Sequence, residues 1–239
     1  MGYRLLHDVW GREMDAHVTR RDEDPEILGL LTLMTAILRD FADMADSHVD
    51  DGIEAALAQI SEFTGVDRSY LFLVNDAQPQ LIDNTHEWCA AGITAEIDNL
   101  QGVPLEVIHS WLAPFSRGEP VYVPVVDELP DARRDERELL QGQGIQSLIV
   151  VPLKGPEGFR GFLGFDSVRR RRTWSDGAIL LLRAVADVIL GGLMRHRAYL
   201  ALKHIADHDS LTQLANRKVF MERLEGALER GHTQPFHPL

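Results

Sequence analysis

This 239-residue sequence predicts an α+β fold, an antiparallel sheet covered by helices. Three observations carry the prediction. In "IQSLIVVPLKGPEGFRGFLGFDSV" two apolar runs flank a Pro/Gly loop, which marks an antiparallel hairpin. A second pair of β-rich runs, "VDRSYLFLVN" and "QLIDNTHEW", is separated by the turn-like cluster "DAQP". Apolar helices stand at both ends of the pattern and must cover a face of the sheet.

The elements follow in order. Residues 1–23 are a polar, mixed lead-in with no periodic signal. Asp24 is placed to cap a helix over about 25–47, with Pro25 at its first position and Glu26 at the positive end of the dipole. Ile27, Leu31, Met34, Leu38 and Phe41 form one apolar stripe, and Leu28, Leu30, Leu33, Ile37 and Met44 widen it beyond a single face. A second helix, about Gly52 to Thr64, is expected with Asp50 or Asp51 as cap and Gly65 as stop. After the first two strands, "PLEVIHSWLAPFSRG" reads as a short helix opened by Pro104. "PVYVPVV" reads as a short strand, and "DARRDERELLQGQG" as an exposed charged helix. The hairpin comes next, and a long helix begins at Ser175 or Asp176 and runs to about 206.

Composition narrows the function classes. The formal charge of −13 disfavours binding to nucleic acid, whose phosphates demand clustered Lys and Arg. A single cysteine, Cys89, rules out an intrachain disulfide and fits a reducing, cytoplasmic setting. The N-terminus lacks the apolar core of a signal peptide. The apolar run 178–194 is interrupted by Arg183 and Asp187 and falls short of the ~20 residues of a spanning helix, so no membrane span is expected.

Over residues 24–195 the arrangement resembles a GAF domain. The carrying residues are Ser147, Pro152 and Leu153 entering the paired late strands, "GFLGF" from Gly161 to Phe165 leaving them, and "GEPVYVPVVDELP" before them. A narrower stretch, "DSLTQLANRKVF", resembles the opening of GGDEF domains, the diguanylate cyclases that make cyclic di-GMP from GTP. Asp209, Leu211, Thr212, Leu214, Asn216, Arg217 and Phe220 match, and Gln213 stands where that family has Gly. The resemblances imply a domain plan: GAF domain 24–195, signalling-helix linker 196–208, and the beginning of a GGDEF domain at 209–239. In that family the metal- and GTP-binding parts come later than "RKVFMERLEGALERG". The implied role is therefore a sensory domain that controls a diguanylate cyclase, with no GTP turnover by this chain. The helices 25–47 and 176–206 are too apolar all round to stand alone, and they are expected to pair with a second copy in a dimeric bundle. A dimerisation module that binds no ligand is the alternative.

A GAF domain often holds a small ligand, which directs attention to "NTHEWCAAGI" and "VIHSWL". His86, Trp88, Cys89, His109 and Trp111 are the candidate pocket residues, and they fit equally a packed tryptophan core with satisfied histidines. No cofactor is specified. "HEWCA" lacks the second His of a zinc motif, and on a strand His86 and Cys89 face opposite sides. A bilin on Cys89 lacks the Cys-His pair common in phytochrome-like domains, and the N-K-x-F-D-E pattern of cyclic-nucleotide-binding GAF domains is missing. "RRRR" at 169–172 reads as a solvated loop, and His204 with His208 as a polar helix surface. Gly191 and Gly192, mid-helix, mark either a hinge or a close helix crossing.

Overall fold

The computed structural model describes residues 25–44 and 48–207, together with Thr212, Leu214, Asn216 and 219–221. The lead-in 1–23, Asp24, His208, Asp209, Leu211 and Arg217 lie outside the described residues. The helices are α1 (Pro25–Asp43), α2 (Val49–Thr64), α3 (His109–Ser116), α4 (Arg134–Gly142) and α5 (Asp176–Asp207). The strands are β1 (Arg68–Val74), β2 (Leu81–Cys89), β3 (Val103–Pro104), β4 (Val121–Val123), β5 (Ser147–Gly155) and β6 (Gly158–Ser167). They form one antiparallel sheet in the order β3-β2-β1-β6-β5-β4. This is the expected α+β, GAF-like layout, with a two-residue edge strand, β3, that the sequence pattern is too short to signal.

Strand alternation sorts the residues onto two faces. On one face Leu71, Ile149, Val151, Leu163 and Phe165 pack against Ile53, Leu57 and Ile60 of α2 and Leu181, Leu182, Val185 and Ile189 of α5. Ile37 and Phe41 of α1 close the outer layer. Each such side chain contributes about 1.5–3 kcal/mol on burial, so this layer is the main store of stability. The opposite face carries Tyr70, Phe72, Phe162, Leu148 and Val150 and is covered by α3, α4 and the connections around them.

Local details correct the sequence expectations. α1 ends at Asp43, short of the expected 47. α2 starts at Val49, so Asp50 and Asp51 lie inside its first turn and neither is the cap. Position 48, a histidine, makes no side-chain cap bond. Asp50 is instead committed to His86, whose Nε2 lies 3.3 Å from its carboxylate, while acids in a first turn still favour the dipole. Gly65 does stop the helix, in the left-handed conformation at φ 62°, donating to Ser61 O at 2.7 Å. α4 is less exposed than its charge suggests, because Glu136 is buried.

α5 is long and apolar enough to cross a membrane by length and composition, but its buried leucines and valine pack on the sheet. Of the glycine pair, Gly192 marks a close crossing: a Cβ there would sit 2.9 Å from the Phe41 ring of α1. Gly191 faces open space. Beyond Leu193 the helix leaves the core, exposing Leu200, Leu202 and Ile205, and on α1 Leu28, Leu31 and Leu38 are exposed too.

Candidate functional site

The covered face of the sheet encloses a small cavity of about 40 Å³. Its floor is aromatic. Phe72 and Phe162 stack with centroids 4.8 Å apart, and Trp111 of α3 meets Phe162 edge-on at 5.5 Å. Gly164 makes room for Tyr70, since a Cβ at 164 would lie 2.4 Å from its ring. Trp111 is fixed from behind: its Nε1 donates to Glu136 Oε1 at 2.8 Å, and Glu136 Oε2 accepts from Ser110 Oγ at 2.8 Å and from Arg133 Nε at 2.7 Å. A carboxylate buried in α4 thus locks the wall of the cavity.

One end of the cavity is charged. Arg68 of β1, Glu87 of β2 and Asp166 of β6 converge there, each side chain only 1–2% exposed. Arg68 Nε stands 3.4 Å from Glu87 Oε1, and its Nη1 3.5 Å from Asp166 Oδ2. The guanidinium also donates to Gln143 Oε1 at the end of α4 and to Thr94 O in the loop after β2. Glu87 Oε2 accepts the backbone N–H groups of Glu96 and Ile97, both at 2.8 Å. Asp166 Oδ1 accepts from Tyr70 Oη at 2.8 Å. The cluster therefore ties two covering segments to the sheet. It leaves Arg68 Nε, Glu87 Oε1 and Asp166 Oδ2 buried without a hydrogen bond.

Burial governs the ionisation of this group. It pushes Asp166 from an ordinary 3.8 up to about 7, with Glu87 and Asp67 adding to the rise and Arg68 and the Tyr70 hydroxyl opposing it. Burial likewise raises Glu87, against the pull of the Glu96 N–H and Arg68. Tyr70 is held well above its usual value by burial and by Asp166 beside it. One cation among two carboxylates leaves the cluster short of positive charge.

The five sequence candidates do not gather in one place. Trp111 lines the cavity. His86 and Trp88 lie on the other face: His86 meets Asp50 of α2, and Trp88 packs against the helix-side core. Burial lowers the His86 pKa and Asp50 works against it, the mark of a structural histidine. Cys89 shares the side of Arg68 but lies outside the cavity lining; it is half-buried, not fully buried, and burial raises its pKa, keeping the thiol protonated. His109 is exposed at the start of α3, its Nδ1 3.0 Å from Glu106 O. Arg68, Tyr70, Glu87, Glu136 and Asp166 were missed. Their only signal is positional: charged or polar residues inside runs that otherwise read as buried strand or helix.

Among the described residues no group of three His, Cys, Asp or Glu is placed to hold a metal ion. The arginine run is the exposed loop expected, with Arg169 and Arg171 each 55% exposed, and it is also tethered. Arg169 Nη1 pairs with Asp67 at 3.2 Å, Arg171 Nη2 with Asp127 at 3.4 Å, and Arg172 donates to Gly65 O at 2.7 Å while lying 5.0 Å over the Trp174 ring. Of the "DSLTQLANRKVF" stretch, Asn216 caps the following turn, its Oδ1 accepting from Val219 N at 3.0 Å. Its own N–H donates to Asp207 O, the last residue of α5, at 2.9 Å.

A six-stranded sheet with helices on one face and a covered aromatic cavity on the other defines a small-domain sensor architecture. The GAF domain family model matches residues 48–190, and the chain belongs to that family. It is 33% identical over 158 residues to the methanogenesis regulatory histidine kinase FilI of Methanothrix harundinacea, covering 64% of this chain and 17% of that protein. It is 28% identical over 192 residues to an uncharacterized protein of Mycobacterium tuberculosis, covering 76% and 29% respectively. The chain thus spans less than a third of either relative. Among solved structures, the phycocyanobilin-bound GAF domain of a cyanobacterial phytochrome superposes with a TM-score of 0.57 at 14% identity, covering 70% of this chain and 96% of that one. The PixJ GAF domain of Thermosynechococcus elongatus gives 0.53 at 18% identity, covering 72% and 94%.

Proposed function

We propose that the chain is the sensory input of a cytoplasmic diguanylate cyclase, working as a homodimer through α1 and α5. The observation that carries this reading is the continuity of α5. The helix is core material as far as Leu193, then projects with Leu200, Leu202 and Ile205 uncovered, and its end is bonded directly to Asn216 of the "DSLTQLANRKVF" stretch. The exposed leucines of α1 add a second apolar strip on the same bundle. A cyclase joins two GTP molecules, so two catalytic domains must meet, and the geometry of paired linker helices sets how they meet.

The route from cavity to helix is short. Asp166 ends the charged cluster; Asp67 accepts Val168 N and Arg169 N at 2.8 and 2.9 Å; Arg172 grips the end of α2 and Trp174; α5 begins at Asp176. An occupant of the cavity biases that geometry by its differential affinity for two states, ~1–3 kcal/mol in ordinary allosteric proteins. A bilin is not the occupant favoured here. Cys89 lies off the cavity, whose volume of about 40 Å³ is far below the ~300–1,000 Å³ of ordinary ligand pockets. That small volume also favours the second reading, a dimerisation module without a ligand.

The test is a graft of residues 25–220 onto a diguanylate cyclase catalytic domain, with one to four alanines inserted after Lys203. Cyclic di-GMP output that rises and falls with helical phase supports the reading, and output indifferent to phase overturns it. Light scattering on the chain itself should report a dimer that Leu31→Glu with Leu38→Glu dissociates; a wild-type monomer at high concentration removes the bundle.

A further inference from the structure

The charged end of the cavity specifies more than that something binds. Three buried atoms there lack a hydrogen bond, and two of them, Glu87 Oε1 and Asp166 Oδ2, are carboxylate oxygens. Both oxygens are ion-paired to Arg68, at 3.4 and 3.5 Å, but accept no hydrogen bond, and that buried shortfall is costly until N–H or O–H donors supply it. The cluster also holds two carboxylates against one guanidinium, so a positively charged donor answers both shortages at once. The walls are aromatic: Tyr70, Phe72, Trp111 and Phe162 line the space, with Phe72 and Phe162 stacked on one another. Size sets the last limit. A cavity of about 40 Å³ has room for a group of only a few heavy atoms, since about 10–15 Å³ of such space holds one water.

We propose that this cavity is a binding site for a small primary ammonium, ammonium itself or methylammonium, whose N–H groups donate to Glu87 and Asp166 between aromatic walls. The proposal rests on the sensory reading of the same cavity and names its ligand class. Binding reaches the rest of the domain through the groups the cluster already holds. Arg68 links to Gln143 of α4 and Thr94 of the covering loop, and Glu87 to the backbone at Glu96 and Ile97. A new positive charge beside Asp166 and Glu87 weakens their hold on Arg68 and so loosens both covers.

Binding is coupled to a proton. The charged and titratable groups facing Asp166 are Arg68 and Tyr70 from β1, Glu87 and Cys89 from β2, and Asp67 from the turn before β1. On the α4 side the nearer polar group is the neutral Gln143, and Glu136 is satisfied by Arg133, Ser110 and Trp111. Asp166 titrates at about 7, and the cation needs it deprotonated. Apparent affinity for methylammonium therefore rises about tenfold between about pH 6 and about pH 8.

The experiment is thermal unfolding and calorimetric titration of the chain with ammonium and methylammonium chloride. Potassium and tetramethylammonium chloride at equal ionic strength are the controls, and a panel of neutral and anionic metabolites runs alongside. The expected result is a concentration-dependent rise in midpoint with the two primary ammonium ions only, stronger at high pH and abolished in Asp166→Asn. Equal stabilisation by potassium, or a shift retained in Asp166→Asn, overturns the proposal. If Asp166→Asn fails to fold, the pH dependence in the wild type decides, and its absence counts against. A shift with a neutral or anionic metabolite alone overturns the ligand class and leaves the sensory reading standing. No shift with any compound overturns both.

Discussion

On the helix face of the sheet, Leu71, Ile149, Val151, Leu163 and Phe165 pack against apolar side chains of α2 and α5, beside two polar pairs, Ser61 with Ser69 at 2.7 Å and His86 with Asp50 at 3.3 Å. On the cavity face the same central strands send in Arg68, Tyr70 and Asp166, with Glu87 beside them. The helix face gains from every side chain it buries. The cavity face gives part of that back, because ions taken from water are repaid only by complete pairing, and this pairing is incomplete. One side of a thin sheet is built to hold, and the other carries groups a pure scaffold would replace with leucine.

The sharpest test of that contrast is Leu182→Ala in α5. It should cost about 2–5 kcal/mol in urea unfolding, as a cavity in a packed core does. Glu136→Ala comes next on the other face. It strips Trp111, Ser110 and the half-shielded Arg133 of one shared acceptor and should cost about 2–3 kcal/mol, with a change in Trp111 fluorescence. If Glu136→Ala proves as mild as a surface change, the cavity wall is not held as described. Gly192→Ala should cost about 1–3 kcal/mol because the new methyl meets Phe41.

Asp166→Asn probes the charged end by its pH dependence. The folded pKa lies above the ordinary 3.8, at about 7, so folding binds a proton between those values. The stabilisation is fully present below about pH 4 and is lost as pH rises through about 7. The wild type should lose stability between about pH 4 and about pH 7 more steeply than the variant, by chemical unfolding across that range. Identical slopes would show that Asp166 stays ionised. The smallest effect is expected at Gly191→Ala. With open space at that Cβ, the variant should gain about 0.5–1 kcal/mol from helix propensity. A gain at 191 beside a loss at 192 would establish that the glycine pair serves a crossing and not a hinge.

The scaffold was legible because its signals are periodic and redundant. The hairpin of β5 and β6, the stop at Gly65 and the start of α5 each follow from several neighbouring residues that agree. The cavity was not, because strand pairing across the sheet decides it. Tyr70 stands opposite Glu87 and Gly164, and Arg68 opposite Asp166, and no local pattern records those partners. His86 and Trp88 drew attention as unusual residues in an apolar run, yet alternation sends them to the helix face. Thr85 of β2 is unmatched where Leu71 pairs with His86 and Phe72 with Asn84, a bulge that reading β2 alone does not reveal. Trp111 was found because a tryptophan in a short apolar helix has few places to go.

The tethers of Arg169, Arg171 and Arg172 have a mechanical consequence. Asp67, Asp127 and the end of α2 hold one short connection, so the piece between β6 and α5 is fastened at three points. On the sensory reading proposed above, it is the piece through which a tilt at the rim of the sheet would turn the root of the outgoing rod.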